Sequence, residues 1–117
     1  MNKYVKARAN YIEKERARET RRIKRRMNKF VRSEVKRLVY MYTHGAPAQT
    51  LRASYTEFNS YAVRTAVTTR VLNELYYKGI KFTVGILSND SDYDVVRAIY
   101  FYGASDAPTD LYKPEEE

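Results

Sequence analysis

The amino-acid sequence predicts an α+β fold with a long basic N-terminal helix, a second helix and a C-terminal antiparallel β-hairpin. Three observations lead to this prediction. Neither Gly nor Pro occurs between Asn2 and Thr43, apolar residues recur at helical spacing in two separate segments, and the period changes to alternation after Gly79. The 117 residues suffice for one hydrophobic core but not for two.

The first helix divides into two parts according to its apolar residues. In residues 23–43 an apolar residue recurs every three or four positions, which predicts a helix docked on a core. Ile23, Met27 and Phe30 are expected to anchor the helix there. Residues 1–22 contain too few apolar side chains to be held by a core. We therefore predict that they project as a basic arm, either helical or partly disordered.

Local sequence signals predict where the second helix begins and ends. Gly45 and the nearby Pro47 are expected to end the first helix, and residues 54–57, Ser-Tyr-Thr-Glu, match a capping box that predicts the start of the second. Lys78 and Gly79 predict its end, through a favourable charge and a C-terminal cap. The apolar face of this helix is expected to comprise Phe58, Ala62, Ala66, Val67, Val71, Leu72 and Leu75.

The third predicted element is a hairpin. Its first strand has Ile80, Phe82, Val84 and Ile86 on one side, residues 88–94 form a polar turn, and residues 95–102 return as the second strand. Because two strands alone are marginally stable, the hairpin must lie on the helices, gain a third strand or pair with another subunit. The compact domain is thus predicted to span residues 23–102, followed by a loose acidic tail, residues 103–117.

The charges of the chain are unevenly distributed. Its 22 Lys and Arg against 14 Asp and Glu give a formal net charge of +8. Residues 1–40 contain fifteen of these basic residues and four Glu, a net charge of +11, whereas residues 41–117 carry a net charge of −3. The chain is therefore predicted to consist of a basic arm on a mildly acidic body.

The functional prediction rests on the basic residues of the arm and of the helix that follows it. On a helix, Arg18, Arg21, Arg22, Arg25, Arg26 and Lys29 fall three or four positions apart and form one cationic stripe. Polyphosphates attract such a stripe because each neutralised phosphate releases counterions, and the planar fork of Arg suits phosphate oxygens. We predict a non-enzymatic nucleic-acid-binding protein, DNA or RNA, with the site Tyr11, Arg18, Arg21, Arg22, Lys24, Arg25, Arg26 and Lys29.

Three other interpretations stay open. The protein could be a small phage-type inhibitor or assembly factor whose basic arm binds an acidic protein or a nucleoprotein machine. The order of helix and hairpin resembles that of winged-helix proteins, which would use the body cations Arg52, Arg64, Arg70, Lys78 and Lys81. The edges of the hairpin could also pair between subunits and make a homo-oligomer.

The sequence argues against several other classes. There is no Cys, which excludes a disulfide framework and a cysteine nucleophile, and the one histidine, His44, is placed to cap a helix. No phosphate-cradling Gly loop or paired metal ligands occur, so we expect no enzyme activity, metal or cofactor. No apolar run approaches a membrane span or a secretory signal, and a cytoplasmic location is expected.

Overall fold

The computed structural model describes residues 2–89, 93–103 and 106–115, and it confirms the α+β fold. Two helices pack on one face of a three-stranded antiparallel sheet with the strand order β1-β3-β2. The elements in chain order are α1 Lys3–Thr43, β1 Ala48–Ala53, α2 Tyr61–Tyr77, β2 Phe82–Asn89 and β3 Val95–Phe101.

Helix α1 is continuous over 41 residues and ends where the sequence predicts. At its start the side chain of Asn2 accepts a hydrogen bond of 2.9 Å from the amide of Val5. At its end Gly45 adopts a φ of 81°, which a residue with a Cβ rarely adopts, and the amide of Ala46 donates to the carbonyl of Met41. This Schellman arrangement satisfies the last carbonyls of the helix, so Gly45 ends α1.

Strand β1 is the third strand that the predicted hairpin needed, and it was not itself predicted. Its inward residues Leu51 and Ala53 are fully buried and belong to the core. Arg37 of α1 fixes the strand from the helix side, since its guanidinium donates 2.8 Å to the carbonyl of Thr50 and pairs with Glu34 at 2.7 Å. β1 adds antiparallel to β3 with Leu51 opposite Arg97.

The predicted start of the second helix was wrong by six residues. α2 begins at Tyr61, and its N-cap is Ser60, not Ser54. The segment before it bonds elsewhere: the hydroxyl of Ser54 contacts that of Thr56, and the carbonyl of Phe58 accepts from the buried Arg64 at 2.6 Å. The predicted apolar face changes accordingly, because Phe58 is buried but precedes α2, and Ala62 of α2 is exposed.

The hairpin is confirmed, although its first strand departs from strict alternation. β2 pairs antiparallel with β3, and Phe82 and Val84 face the core as predicted. A register shift between Ile86 and Ser88 interrupts the ladder, and Ile86 is 67% exposed instead of buried. Residues 90–92 of the predicted turn lie outside the described residues.

The core lies between the sheet and the two helices, and part of the tail packs against it. Tyr112 stacks on Phe82 with ring centroids 5.2 Å apart, its amide donates to the carbonyl of Phe82, and its hydroxyl donates to Asn73. The tail was predicted to be loose, but at Tyr112 it packs against the body. The fully or nearly buried apolar residues of the cluster are Val31, Val35, Leu38, Leu51, Ala53, Phe58, Val67, Val71, Leu72, Leu75, Ile80, Phe82, Val95 and Ile99.

The molecule is elongated because α1 extends well beyond the body. Its principal extents are 70 × 27 × 27 Å and its radius of gyration is 18.7 Å. A compact chain of this length would have a radius of gyration of about 13 Å. Every residue from Asn2 to Arg22 is exposed, whereas Val31, Val35 and Leu38 of the same helix are buried. The first half of α1 thus stands free in solvent.

Candidate nucleic-acid interface

Most of the predicted cations lie on the side of α1 that faces away from the body. At 3.6 residues per turn, Arg18, Arg25 and Lys29 fall within about 40° of one another around the helix axis. Buried Val31 and Leu38 lie about 140° to 160° away from the centre of that group, on the side of the core. Arg21 and Arg22 flank the group on its two sides, and all five cations are exposed.

The same face continues in both directions beyond the predicted stripe. Lys14, Arg32 and Lys36 fall on it by the same helical spacing, and all three are exposed. The sequence interpretation left out Arg32 and Lys36 because residues 23–43 were assigned to packing, although the seven-residue spacing from Arg18 through Arg25 to Arg32 was available as a signal. Lys14 was left out because the predicted site began at Arg18, although the four-residue step from Lys14 to Arg18 continues the same face. We call this surface the basic ridge: Lys14, Arg18, Arg21, Arg22, Arg25, Lys29, Arg32 and Lys36.

Two cations of the basic ridge are paired with acidic neighbours on the same helix. Arg18 contacts Glu15 at 2.9 Å and Arg22 contacts Glu19 at 3.2 Å, and all four side chains are largely exposed. Exposed pairs at this spacing are worth about 0.3–0.5 kcal/mol, so a phosphate can displace them. Within the described residues, Arg21, Arg25 and Lys29 make no ion pair.

Two predicted site residues lie off the basic ridge. The guanidinium of Arg26 donates to the backbone carbonyl of Glu57 and lies over the ring of Phe58, 5.4 Å from its centroid. Arg26 therefore attaches α1 to the body. Lys24 is exposed but falls about 120° from the centre of the basic ridge, toward the side of the core.

The predicted anchors connect the arm to the body. Met27 and Phe30 are partly buried against the core, and Phe30 meets Phe58 edge to face with centroids 5.6 Å apart. Ile23 is half-buried and lines a cleft with Phe58 and Val63. Because these contacts begin at Ile23, the cations of the ridge are held in a fixed orientation relative to the body from that point onward.

Tyr11 lies on the face of the basic ridge, nearer the free end of α1. It is 64% exposed, and Tyr4, seven residues earlier on the same face, is 73% exposed. Neither ring contacts another aromatic ring in the part of the chain that the structure describes. The helix thus presents two free tyrosines in line with the cations.

The cations of the body serve mainly structural purposes. Arg64 is fully buried, donates to the carbonyl of Phe58 and lies over the rings of Tyr55 and Tyr61. Arg52 pairs with Asp94 at 3.6 Å, and Arg70 donates to Asn28 at 2.9 Å. The winged-helix interpretation counted all three arginines as contacts for nucleic acid, and their intramolecular contacts weaken it.

His44 occupies the C-terminal cap of α1, as the sequence indicated. Its ring stacks on Tyr40 with centroids 3.8 Å apart, and its Nδ1 lies 2.8 Å from the carbonyl of Tyr40. Within the described residues, no group of three or more His, Cys, Asp or Glu side chains is arranged to hold a metal ion. A search of those same residues for a helix with the length and hydrophobicity of a membrane span finds none.

Comparison of the chain with protein-family models, with curated protein sequences and with solved structures finds no match.

Proposed function

We propose that this protein binds nucleic acid without catalysing a reaction, through contacts between the basic ridge and backbone phosphates. The observation that supports the proposal is the position of the ridge, which faces solvent on the side of α1 opposite the core. From Lys14 to Lys36 it extends about 33 Å at 1.5 Å per residue. A row of like charges this long repels itself, and an extended anion bound along it would relieve that repulsion.

The composition of the basic ridge favours phosphate as that anion. Five of its eight cations are arginines, whose guanidinium forks bind phosphate oxygens with two parallel hydrogen bonds. Each phosphate that a cation neutralises releases part of a condensed counterion. Contact with about six phosphates of a duplex then gives a slope near −5 in a plot of log K against log salt. Phosphate contacts carry little base information, so the sequence preference is expected to be weak.

The test is a charge reversal on the basic ridge of the full chain. The variant Arg21→Glu/Arg22→Glu/Arg25→Glu leaves Arg26 in place, because Arg26 attaches α1 to the body. The matched control Lys6→Glu/Lys81→Glu/Lys113→Glu changes the net charge equally at exposed positions off the ridge. Binding is measured by fluorescence anisotropy with labelled DNA and RNA of about 30 base pairs at about 150 mM salt.

The ridge variant is expected to lose at least roughly 100-fold in affinity, and the control variant only a few-fold. Circular dichroism must show that both variants keep the fold. Equal losses in the two variants would mean that net charge, and not the ridge, determines binding. Unchanged affinity of the ridge variant would contradict the proposal outright.

A second candidate function is binding to an acidic protein, as in the phage-type inhibitor considered above. One observation favours it: Val5 and Ile12 are exposed apolar residues on one side of the arm, and phosphate contacts do not require them. Absence of any binding to DNA or RNA by the isolated protein, together with nuclease-resistant co-purification with an acidic host protein, would support this function instead.

A further inference from the structure

The free end of α1 carries an aromatic surface that phosphate binding leaves unexplained. Tyr4 and Tyr11 are 73% and 64% exposed, although an exposed tyrosine on a helix stabilises neither the helix nor the core. Both lie beyond the body, since the contacts of α1 with the core begin near Ile23. Their rings are therefore available to a partner.

The two tyrosines continue the line of the basic ridge. Tyr4, Tyr11, Arg18, Arg25 and Arg32 follow one another at intervals of seven residues, which keeps them on one face with a drift of about 20° per step. A strand whose phosphates follow the ridge would therefore reach the tyrosines at its end. The cations and the aromatic rings belong to one continuous surface.

The spacing of the two tyrosines fits nucleobases. Seven residues separate their attachment points by about 10.5 Å along the axis. Three stacking intervals of about 3.4 Å span nearly the same distance, so rings held at this separation would accommodate two bases between them. The intervening residue on this face is Ala7, whose small side chain leaves a shallow groove that Arg8 and Ile12 also line.

We propose that Tyr4 and Tyr11 bind unpaired nucleobases by stacking, so that the protein recognises single-stranded nucleic acid and not only its backbone charge. This inference rests on the proposed function, because the basic ridge must hold the phosphates of the same strand. Stacking on tyrosine is available to every base, so it adds affinity for single strands with little sequence preference.

Charge argues for this occupant over a second copy of the chain. Pairing two arms along their tyrosine faces would bring two basic ridges together, and residues 1–40 alone carry a net charge of +11. A single strand of nucleic acid supplies both the negative charge that the ridge requires and flat apolar surfaces for the rings.

The experiment uses the absence of tryptophan from the chain. The variant Tyr11→Trp then contains a single tryptophan, whose fluorescence is quenched when a base stacks on it. The full-length variant is titrated with oligothymidylate of about 20 nucleotides and, separately, with long-chain inorganic polyphosphate, which has no bases. The matched control is Tyr77→Trp, which replaces a tyrosine that is 74% exposed at the end of α2.

Oligothymidylate is expected to quench Tyr11→Trp strongly, while polyphosphate binds without quenching and Tyr77→Trp responds to neither. Binding of both ligands without quenching would overturn the stacking inference but leave the proposed function intact. Equal quenching by the two ligands would also overturn it. If neither ligand binds, the proposed function itself fails, so the two failures are distinguishable.

Affinity gives a second measurement. Tyr4→Ala/Tyr11→Ala should weaken binding of the same oligothymidylate about 10- to 100-fold and change duplex binding less than about threefold. Tyr4→Phe/Tyr11→Phe keeps the rings and should bind nearly as tightly as the natural chain. A dimer in sedimentation that the alanine variant abolishes would overturn the inference in favour of a second copy.

Discussion

The two halves of α1 have the same charged face but differ in what lies opposite it. In the docked half, residues 23–43, the ridge cations lie opposite Val31 and Leu38, which are buried in the core. In the arm, residues 2–22 are exposed, so within the described part of the chain the opposite face meets only solvent. The helix of the arm therefore depends on good helix formers, on the Asn2 cap and on the two Glu–Arg pairs, whereas burial holds the docked half.

This difference separates stability from binding within one helix. Substitutions on the core side of the docked half should unfold the protein. Substitutions on the basic ridge should alter binding with little effect on the stability of the body, because among the described residues no ridge side chain belongs to the core. At Arg18 and Arg22 only a weak exposed ion pair is lost as well. Matched substitutions on the two sides of this boundary should therefore have different effects.

The largest effect is expected from Leu38→Ala. Leu38 is fully buried, and deleting its side chain leaves a cavity that lowers the free energy of unfolding by about 2–5 kcal/mol. The matched variant in the arm is Ile12→Ala, at a residue that is 40% exposed, and it should change this free energy by less than about 0.5 kcal/mol. Urea unfolding followed by circular dichroism measures both. A large loss of unfolding free energy in Ile12→Ala would show that Ile12 is packed and that the arm is not free in solvent.

A smaller effect should distinguish the neighbouring residues Arg26 and Arg25. Arg26→Ala removes both the hydrogen bond to Glu57 and the contact with the Phe58 ring, and should lower the free energy of unfolding by about 1 kcal/mol. Arg25→Ala removes no hydrogen bond or ion pair among the described residues and should leave stability nearly unchanged while weakening nucleic-acid binding. If Arg25→Ala were the less stable of the two variants, Arg25 and not Arg26 would attach α1 to the body.

The contribution of Tyr112 to the stability of the body should depend on pH. Burial, with smaller contributions from the charges of Glu115 and Tyr77, raises the pKa of Tyr112 above its usual value of 10.0. Since the neutral phenol is favoured in the folded state, its stabilisation is present below pH 10 and is lost as the pH rises through the raised pKa. Tyr112→Phe also removes the hydrogen bond to Asn73, at a cost of about 1 kcal/mol at neutral pH.

The measurement for Tyr112 is urea unfolding of both proteins from neutral pH to above pH 10. The natural chain should be the more stable protein at neutral pH and should lose its advantage over Tyr112→Phe in the alkaline range. A difference that does not change with pH would mean that Tyr112 titrates alike in the folded and unfolded chains.

The smallest effect concerns the acidic residues of the arm. Glu15→Gln/Glu19→Gln frees Arg18 and Arg22 from weak exposed pairs and removes two negative charges near the ridge. Affinity for nucleic acid should rise several-fold, with the gain falling as salt is added. Asp106→Asn/Asp110→Asn, at exposed positions on the C-terminal segment of the body, is the matched control. An equal gain in affinity in both variants would mean that the net charge of the protein, and not the position of the two Glu residues, causes the effect.

Local signals made part of the fold predictable from the sequence. The run without Gly or Pro predicted α1, and Gly45 and Gly79 predicted the ends of both helices because a positive φ is needed at those two turns. Strand β1 was missed because only Leu51 and Ala53 of its six residues are buried, which is too few to show alternation. It exists because β3 and Arg37 are placed beside it by the rest of the fold.

The parts that the sequence could not predict depend on contacts between distant residues. The capping box at residues 54–57 matched its pattern, but the carbonyl of Glu57 accepts from Arg26 and that of Phe58 from Arg64. Arg64 was assigned a surface role only by the winged-helix interpretation, and it is fully buried although nothing in its neighbours in sequence indicates burial. In the candidate site, the helical spacing of the cations was predictable, but the separation of Arg26 and Lys24 from the ridge required knowledge of where the body lies.

Because α1 is one continuous helix, the basic ridge along it has a fixed length. A straight face of about 33 Å equals the rise of about ten base pairs, or one turn of a duplex. Since Ile23, Met27 and Phe30 join this face to the globular part, each molecule should occlude a fixed stretch of polymer. Saturation of a duplex of about 30 base pairs would then require about three copies, with their bodies arrayed at regular intervals.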